Sequence, residues 1–227
     1  MRWIFDYQLF LFDLDGLLVN TEELHYQAYK QMLHDRGYEL PWDFLTYFSI
    51  AQKDSEAPKR HIYAMFPQLA KEEPRWEVLY QEKKIAYIAL LQKSQVPLLP
   101  GAKELLFALK QENCNTCVVT HSRLAYVEEL KKQNPVLSTI QHWITREDYV
   151  APKPDPEGYL KAIELYAKPQ DRIIGFEDSY RGLQALRATK AKPILVNSID
   201  ERLRKNIAKE GVLTFTSLTE LLSLDAL

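Results

Sequence analysis

The run Leu9-Phe10-Leu11-Phe12-Asp13-Leu14-Asp15-Gly16 constrains the fold more than any other stretch of the chain. Four consecutive apolar residues describe a strand buried on both faces, as in the interior of a parallel sheet. Two carboxylates then follow two positions apart, and glycine comes next. Carboxylates that close resist joint ionisation unless a cation or a shared proton lies between them. A magnesium ion answers that repulsion and also attracts phosphate. The plainer reading of the same residues is a strand end followed by an Asp-Gly turn.

The chain has 227 residues, enough for one large domain or two modest ones. With 46% hydrophobic and 26% charged residues it has the make-up of a soluble globular protein. A net charge of −2 leaves no basic excess for a nucleic-acid backbone, so nucleic acid is not an expected partner. No apolar stretch reaches the length of a membrane span, and the start of the chain shows no signal-peptide pattern. Cys114 and Cys117 form a lone C-x-x-C, no disulfide framework and no zinc set, which points to a reducing cytoplasm. Neither a G-x-G-x-x-G nor a Walker pattern is present.

Beyond Asp15 the spacing turns helical. Asn20 and Glu23 read as a capping box and Gly37 as a helix stop, with Leu24, Ala28 and Met32 recurring between them. Residues 41–74 read as loops and short helices. Trp76 to Lys93 is a second helix, whose apolar face carries Trp76, Leu79, Tyr80, Tyr87, Leu90 and Leu91. Lys83 falls on that same face. It either snorkels to water or reaches an anionic ligand from a helical platform.

After the break at Val96–Gly101 strands and helices alternate. Helices are expected at 103–111, 124–133, 156–166 and 179–189, and strands at 116–120, 140–144, 172–176 and 194–196. A last helix is expected over the C-terminal leucines. This is the pattern of an α/β fold, a Rossmann-like parallel sheet covered on both faces. The first strand belongs to it by character. The expected division is therefore a catalytic core of residues 1–18 and 97–227, with a helical insertion at 19–96. The two connections, at 17–21 and 96–101, are candidate hinges.

Ligands bind such sheets beyond the carboxyl ends of the strands. Asp13 and Asp15 stand at the first such end. Thr120, His121, Ser122 and Arg123 follow another, and Glu177 and Asp178 a third. Lys153, flanked by Pro152 and Pro154, lies between them in sequence. Taken singly, Thr120 and Ser122 suit helix N-caps, Glu177 and Asp178 suit a helix start, and Lys153 suits a surface turn. The joint occurrence is harder to explain so plainly.

Phe12-Asp13-Leu14-Asp15-Gly16, the strand ending at Thr120, Lys153-Pro154-Asp155-Pro156 and Gly175-Phe176-Glu177-Asp178-Ser179 resemble, in order and spacing, the four motifs of the haloacid dehalogenase-like hydrolases. The inserted helices resemble the cap of the subgroup that holds phosphoglycolate phosphatases, small sugar-phosphate phosphatases and β-phosphoglucomutase. The resemblance implies that Asp13 is a nucleophile forming an aspartyl phosphate, with Asp15 as acid and then base. It implies a magnesium ion held by Asp13, the Asp15 main-chain carbonyl and Asp178, with Glu177 assisting directly or through water. Thr120 and the amides after it would bind phosphoryl oxygens, and Lys153 would offset the charge gathered there. His121, Ser122 and Arg123 join Thr120 as substrate-binding candidates.

His25 and the Lys83/Tyr87 spacing resemble features of the mutase relatives. Gln52, where those relatives place arginine, argues for a phosphatase, although Lys53 restores part of the charge. The expected activity is hydrolysis of a small phosphorylated metabolite by a monomer or weak homodimer. A phosphosugar mutase or a catalytically retired binding protein are the alternatives.

Overall fold

The computed structural model describes residues 1–51 and 56–227. The chain forms two compact units, residues 1–20 with 96–227, and residues 21–95. Gln52 and Lys53, both candidate site residues, lie outside the described residues.

In the first unit, the four residues of β1 (Leu9–Phe12) are all buried. Among the described residues the sheet has six strands, all parallel, in the order β3-β2-β1-β4-β5-β6. The others are β2 (Asn115–Val119), β3 (His142–Ile144), β4 (Ile173–Glu177), β5 (Lys192–Val196) and β6 (Leu213–Phe215). The chain builds outwards from β1 in one direction through β2 and β3, then returns to its other side with β4. This is the Rossmann-like order, whose crevice opens where the direction reverses. Phe12 pairs with Val118 on one side and Phe176 on the other, so β1, β2 and β4 end level. Asp13 N–H continues the ladder to Phe176 O at 3.0 Å, and Thr120 N–H to Ile144 O at 3.0 Å. The motif residues that follow these strands are thereby delivered to one edge.

The alternation of β1 sends its side chains to two faces. Leu9 and Leu11 pack with Val119, Ile173, Ala185 and Leu186. Phe10 and Phe12 meet aromatic rings: Trp3 lies 6.1 Å from Phe10, and Phe12 stacks on Phe176 at 5.1 Å. Trp3 belongs to a 3-10 turn (Arg2–Asp6), and its indole N–H donates to Leu221 O at 3.0 Å. The helices of this unit are α6 (Ala102–Gln111), α7 (Leu124–Gln133), α8 (Glu157–Tyr166), α9 (Tyr180–Arg187), α10 (Glu201–Lys209) and α11 (Thr219–Leu222). The sequence reading omitted α10 and β6. α10 has Leu203 and Ile207 on one packed face but is otherwise strongly polar, and β6 is three residues long and never fully buried.

The second unit contains α1 (Glu22–Asp35), α2 (Phe44–Ala51), α3 (Ala57–Met65), α4 (Pro67–Glu72) and α5 (Trp76–Lys93). Gly37 ends α1 as expected, with φ +81°. The capping box is not formed. The helix starts after Thr21, Glu23 accepts instead from Gln27 Nε2 at 2.7 Å, and the Asn20 N–H is committed to Pro97 O at 3.0 Å. Along α5 the residues Trp76, Leu79, Tyr87 and Leu91 are buried, whereas Tyr80 is exposed and Leu90 half-buried. Lys83 does not snorkel: it is 5% exposed. Its ammonium lies 2.7 Å from His25 Nδ1 and 5.0, 5.8 and 5.3 Å from the rings of Tyr29, Tyr80 and Tyr87. Aromatic faces hold the cation where a long stem to water was expected. Among the described residues no helix is long and apolar enough to cross a membrane.

The Trp3 contacts make the first turn of the chain part of the core. Trp3→Ala should cost about 3–5 kcal/mol of unfolding free energy, the usual range for emptying a buried tryptophan site. Urea denaturation of parent and variant checks this, and equal midpoints would show that the turn is dispensable.

Candidate active site

Lys153 is the residue around which the level strand ends are organised. Its ammonium donates to Asp13 Oδ1, to Glu177 Oε1 at 2.7 Å and to Val119 O at 2.9 Å. The ends of β1, β4 and β2 therefore share one cation, and all three of its N–H bonds are used. Burial works against the charge on Lys153, but Asp13 and Glu177 together raise its pKa well above the ordinary value. Its backbone is held as well: Lys153 N–H donates to His121 Nε2 at 2.8 Å. His121 was expected among substrate-binding residues, but this ring nitrogen faces the lysine loop. Acceptance at Nε2 places the proton of the neutral ring on Nδ1. Desolvation and the charges of Lys153, Arg181 and Arg146 lower the His121 pKa to about 3.

Asp15 stands in a different environment. Its Oδ2 accepts from Thr120 Oγ1 at 3.1 Å and Ser122 Oγ at 2.7 Å. Thr120 Oγ1 in turn accepts the Ser122 N–H at 2.9 Å. Neither hydroxyl residue caps α7, whose N-cap is the exposed Arg123. Thr120 was expected to face phosphoryl oxygens; here its proton goes to Asp15.

Glu177 is fully buried. Its Oε1 takes protons from Lys153 and from the Tyr159 hydroxyl. Its Oε2 is buried with no hydrogen-bond partner among the described residues. That carboxylate lies directly over Gly182 in the first turn of α9, where a Cβ would come within 1.9 Å of Oε2. Gly16, at φ +83°, likewise leaves room for Asp178, whose Oδ2 would lie 2.2 Å from a Cβ. Asp178 is fixed through its backbone, its carbonyl accepting from Asn197 Nδ2 at 2.8 Å.

Asp13, Glu177 and Asp178 each offer a carboxylate oxygen within 4.8 Å of the others, all three buried. Three carboxylates gathered against one ammonium, with one buried oxygen left without a proton donor, form the hard-oxygen donor set that a divalent cation takes. The residues fit such an ion. The Asp15 carboxylate is not in this cluster.

The half-buried His25 and the buried Lys83 lie in the other unit and form the pair described above. Burial and the Lys83 charge lower the His25 pKa well below its usual value. Tyr159 and Gly182 escaped the sequence reading. The tyrosine falls on the apolar face of an amphipathic helix, where nothing in the sequence shows that its polar tip meets Glu177.

Burial, outweighing Lys153 and joined by Glu177 and Asp15, pushes Asp13 up to about 8. A carboxylate raised on folding holds its proton longer in the folded chain than in the unfolded one. Its contribution to stability therefore falls as pH rises from near 3.8 towards about 8. With a chelator present, this group should lower the thermal midpoint as pH rises from about 5 to about 8, and Asp13→Asn should remove that part of the slope. Differential scanning calorimetry checks this. Equal slopes in parent and variant would remove Asp13 as the cause.

Comparison with known proteins gives the same four segments a lineage. Residues 10–196 match the family described as haloacid dehalogenase-like hydrolase. The validoxylamine A 7'-phosphate phosphatase of Streptomyces hygroscopicus subsp. limoneus is 30% identical over 179 residues, covering 79% of this chain and 80% of that protein. The CbbY protein of Rhodobacter capsulatus is 28% identical over 195 residues, 83% of this chain and 84% of that one. Among solved structures, CbbY from Rhodobacter sphaeroides in complex with phosphate superposes with a TM-score of 0.73 at 22% identity, covering 95% of this chain and 96% of that one. With its parallel sheet, its lysine-bridged strand ends and its acidic cluster, the chain belongs to the haloacid dehalogenase-like hydrolases.

Proposed function

We propose that this protein is a magnesium-dependent phosphatase that hydrolyses a small phosphomonoester through an aspartyl phosphate formed on Asp13. The observation that carries the reading is the Lys153 ammonium bonded to both Asp13 and Glu177, beside the buried Asp13/Glu177/Asp178 cluster. Asp13, Asp178, Glu177 and the Asp15 main-chain carbonyl would hold magnesium, which would supply charge neutralisation for the phosphoryl group.

The protein's own residues perform the transfers. An Asp13 carboxylate oxygen bonds to phosphorus as the bond to the leaving oxygen breaks, and Asp15 gives that oxygen its proton. Asp15 then takes a proton from the water that attacks the aspartyl phosphate, which restores the Asp13 carboxylate and releases phosphate. The hydroxyls of Thr120 and Ser122 hold the Asp15 carboxyl in place for both proton transfers. Lys153 offsets the charge that grows around Asp13 during attack. Thr120 takes phosphoryl oxygens only by turning its hydroxyl away from Asp15, and the Ser122 N–H joins it only by leaving Thr120 Oγ1. Arg123 is assigned to the part of the substrate that does not react.

The relatives named as phosphatases, one of them for phosphorylated carbohydrates, support a small phosphorylated metabolite as substrate; the cytoplasmic setting and the monomer or weak homodimer are part of the same proposal. The His25–Lys83 pair favours a second reading, a β-phosphoglucomutase-like mutase, in which that pair serves a phosphosugar.

A generic aryl phosphate should be turned over with Mg2+ and not with excess chelator; equal rates in both would end the metal-dependent reading. Asp13→Asn should abolish turnover while the circular dichroism spectrum and thermal midpoint remain those of a folded protein. Substantial residual activity in it would refute the nucleophile. Asp15→Ala should lose steady-state turnover, and a variant as fast as the parent would place the acid and base elsewhere. Primer-dependent conversion of β-glucose 1-phosphate to the 6-phosphate would decide for the mutase.

A further inference from the structure

Tyr159 is on α8, six residues after Lys153, with its ring inside the apolar cluster that contains Leu9, Leu11 and Val119. It is 1% exposed. Its hydroxyl donates to Glu177 Oε1, the same oxygen that Lys153 reaches at 2.7 Å. The Lys153 ammonium also lies 4.9 Å from the centre of the Tyr159 ring. One core side chain thus touches both members of the charged pair, with its hydroxyl on the carboxylate and its ring near the ammonium.

We propose that Tyr159 is a positioning residue for the metal-holding carboxylate: by bonding Glu177 Oε1 from within the core, it fixes the orientation in which Oε2 is left for a cation. The inference rests on the metal-dependent reading above. Lys153 alone gives a poor angular restraint, because its flexible stem carries an ammonium shared among three acceptors. A tyrosine has two side-chain torsions, and here packing settles both. Its rigid arm approaches Oε1 while Gly182 lies against the whole carboxylate, so the group is held by two neighbours. Groups that orient a metal ligand without touching the metal commonly change its affinity by about 10–100-fold when removed.

Tyr159→Phe removes the hydroxyl and keeps the ring. The test is Mn2+ binding to the intact, substrate-free protein, followed by electron paramagnetic resonance of the free ion. The variant should bind Mn2+ about tenfold more weakly than the parent. Turnover of an aryl phosphate should need correspondingly more Mg2+ for half-maximal rate and recover most of its kcat at saturation. In a Glu177→Ala background the same substitution should have no further effect, because the oxygen it acts through is gone.

An unchanged Mn2+ affinity in Tyr159→Phe, with or without a lower unfolding midpoint, overturns the inference by making the hydroxyl merely structural. An equal loss in the Glu177→Ala background overturns it too. A Tyr159→Phe chain that does not fold also overturns it, since it assigns the hydroxyl to stability. If the parent binds no Mn2+, the metal-dependent reading itself fails, and the inference with it; that result is recognised because it needs no variant.

Discussion

A buried ammonium must find acceptors for its protons, and Lys153 finds them at the ends of three different strands. Asp13 belongs to β1, Val119 to β2 and Glu177 to β4. Inside a protein, charge-assisted hydrogen bonds of this kind are strong when made and costly to leave unmade. The requirement therefore acts as a geometric constraint on the sheet edge. The strands must end level, as the pairing of Phe12 with both Val118 and Phe176 shows, and the loop that carries Lys153 must return to that edge. His121 holds the loop by its backbone, and Tyr159 supports the partner carboxylate from beneath.

The two aspartates of the first motif are separated in role by their surroundings. Asp13 lies against Lys153 and near two further carboxylates, where burial and like charge oppose ionisation. Asp15, two residues on, is met by the hydroxyls of Thr120 and Ser122. A nucleophile that must ionise gains from a lysine and a divalent cation beside it. The proton carrier is instead oriented by two neutral hydroxyl donors. Two identical side chains thus meet different neighbours at one sheet edge, which suits the separate roles proposed for them. The glycines at 16 and 182 complete the arrangement, since each leaves the space that a carboxylate fills.

The helical unit shows a different treatment of a buried cation. Lys83 lies 2.7 Å from a histidine nitrogen and among three tyrosine rings. Its position in the apolar stripe of α5 was visible in the sequence, but the spacing supported a stem reaching for water. The rings that hold it come from two helices: Tyr29 from α1, Tyr80 and Tyr87 from α5 itself. Helical periodicity tells which face a residue occupies and is silent about what the facing helix brings to it.

Much of the fold was legible because it was written in local pattern. The buried run of β1, the full extent of α5, and the alternation of short strands with helices of about ten residues follow from periodicity and apolar content. The carboxylates, the hydroxyls and the lysine were legible as residues at strand ends. The largely polar α10 and the three-residue β6 were not, and the Asn20 cap failed because its backbone bonds to Pro97, a residue far away in sequence. By itself the sequence determined which chemical groups stand at the ends of which strands, since strand period and motif spacing are local properties. Only the tertiary structure decided that Lys153 joins Asp13 to Glu177, that Thr120 turns to Asp15, and that a core tyrosine meets the buried carboxylate. Those contacts join residues from 18 to 140 positions apart, and nothing in local sequence encodes which distant partner closes them.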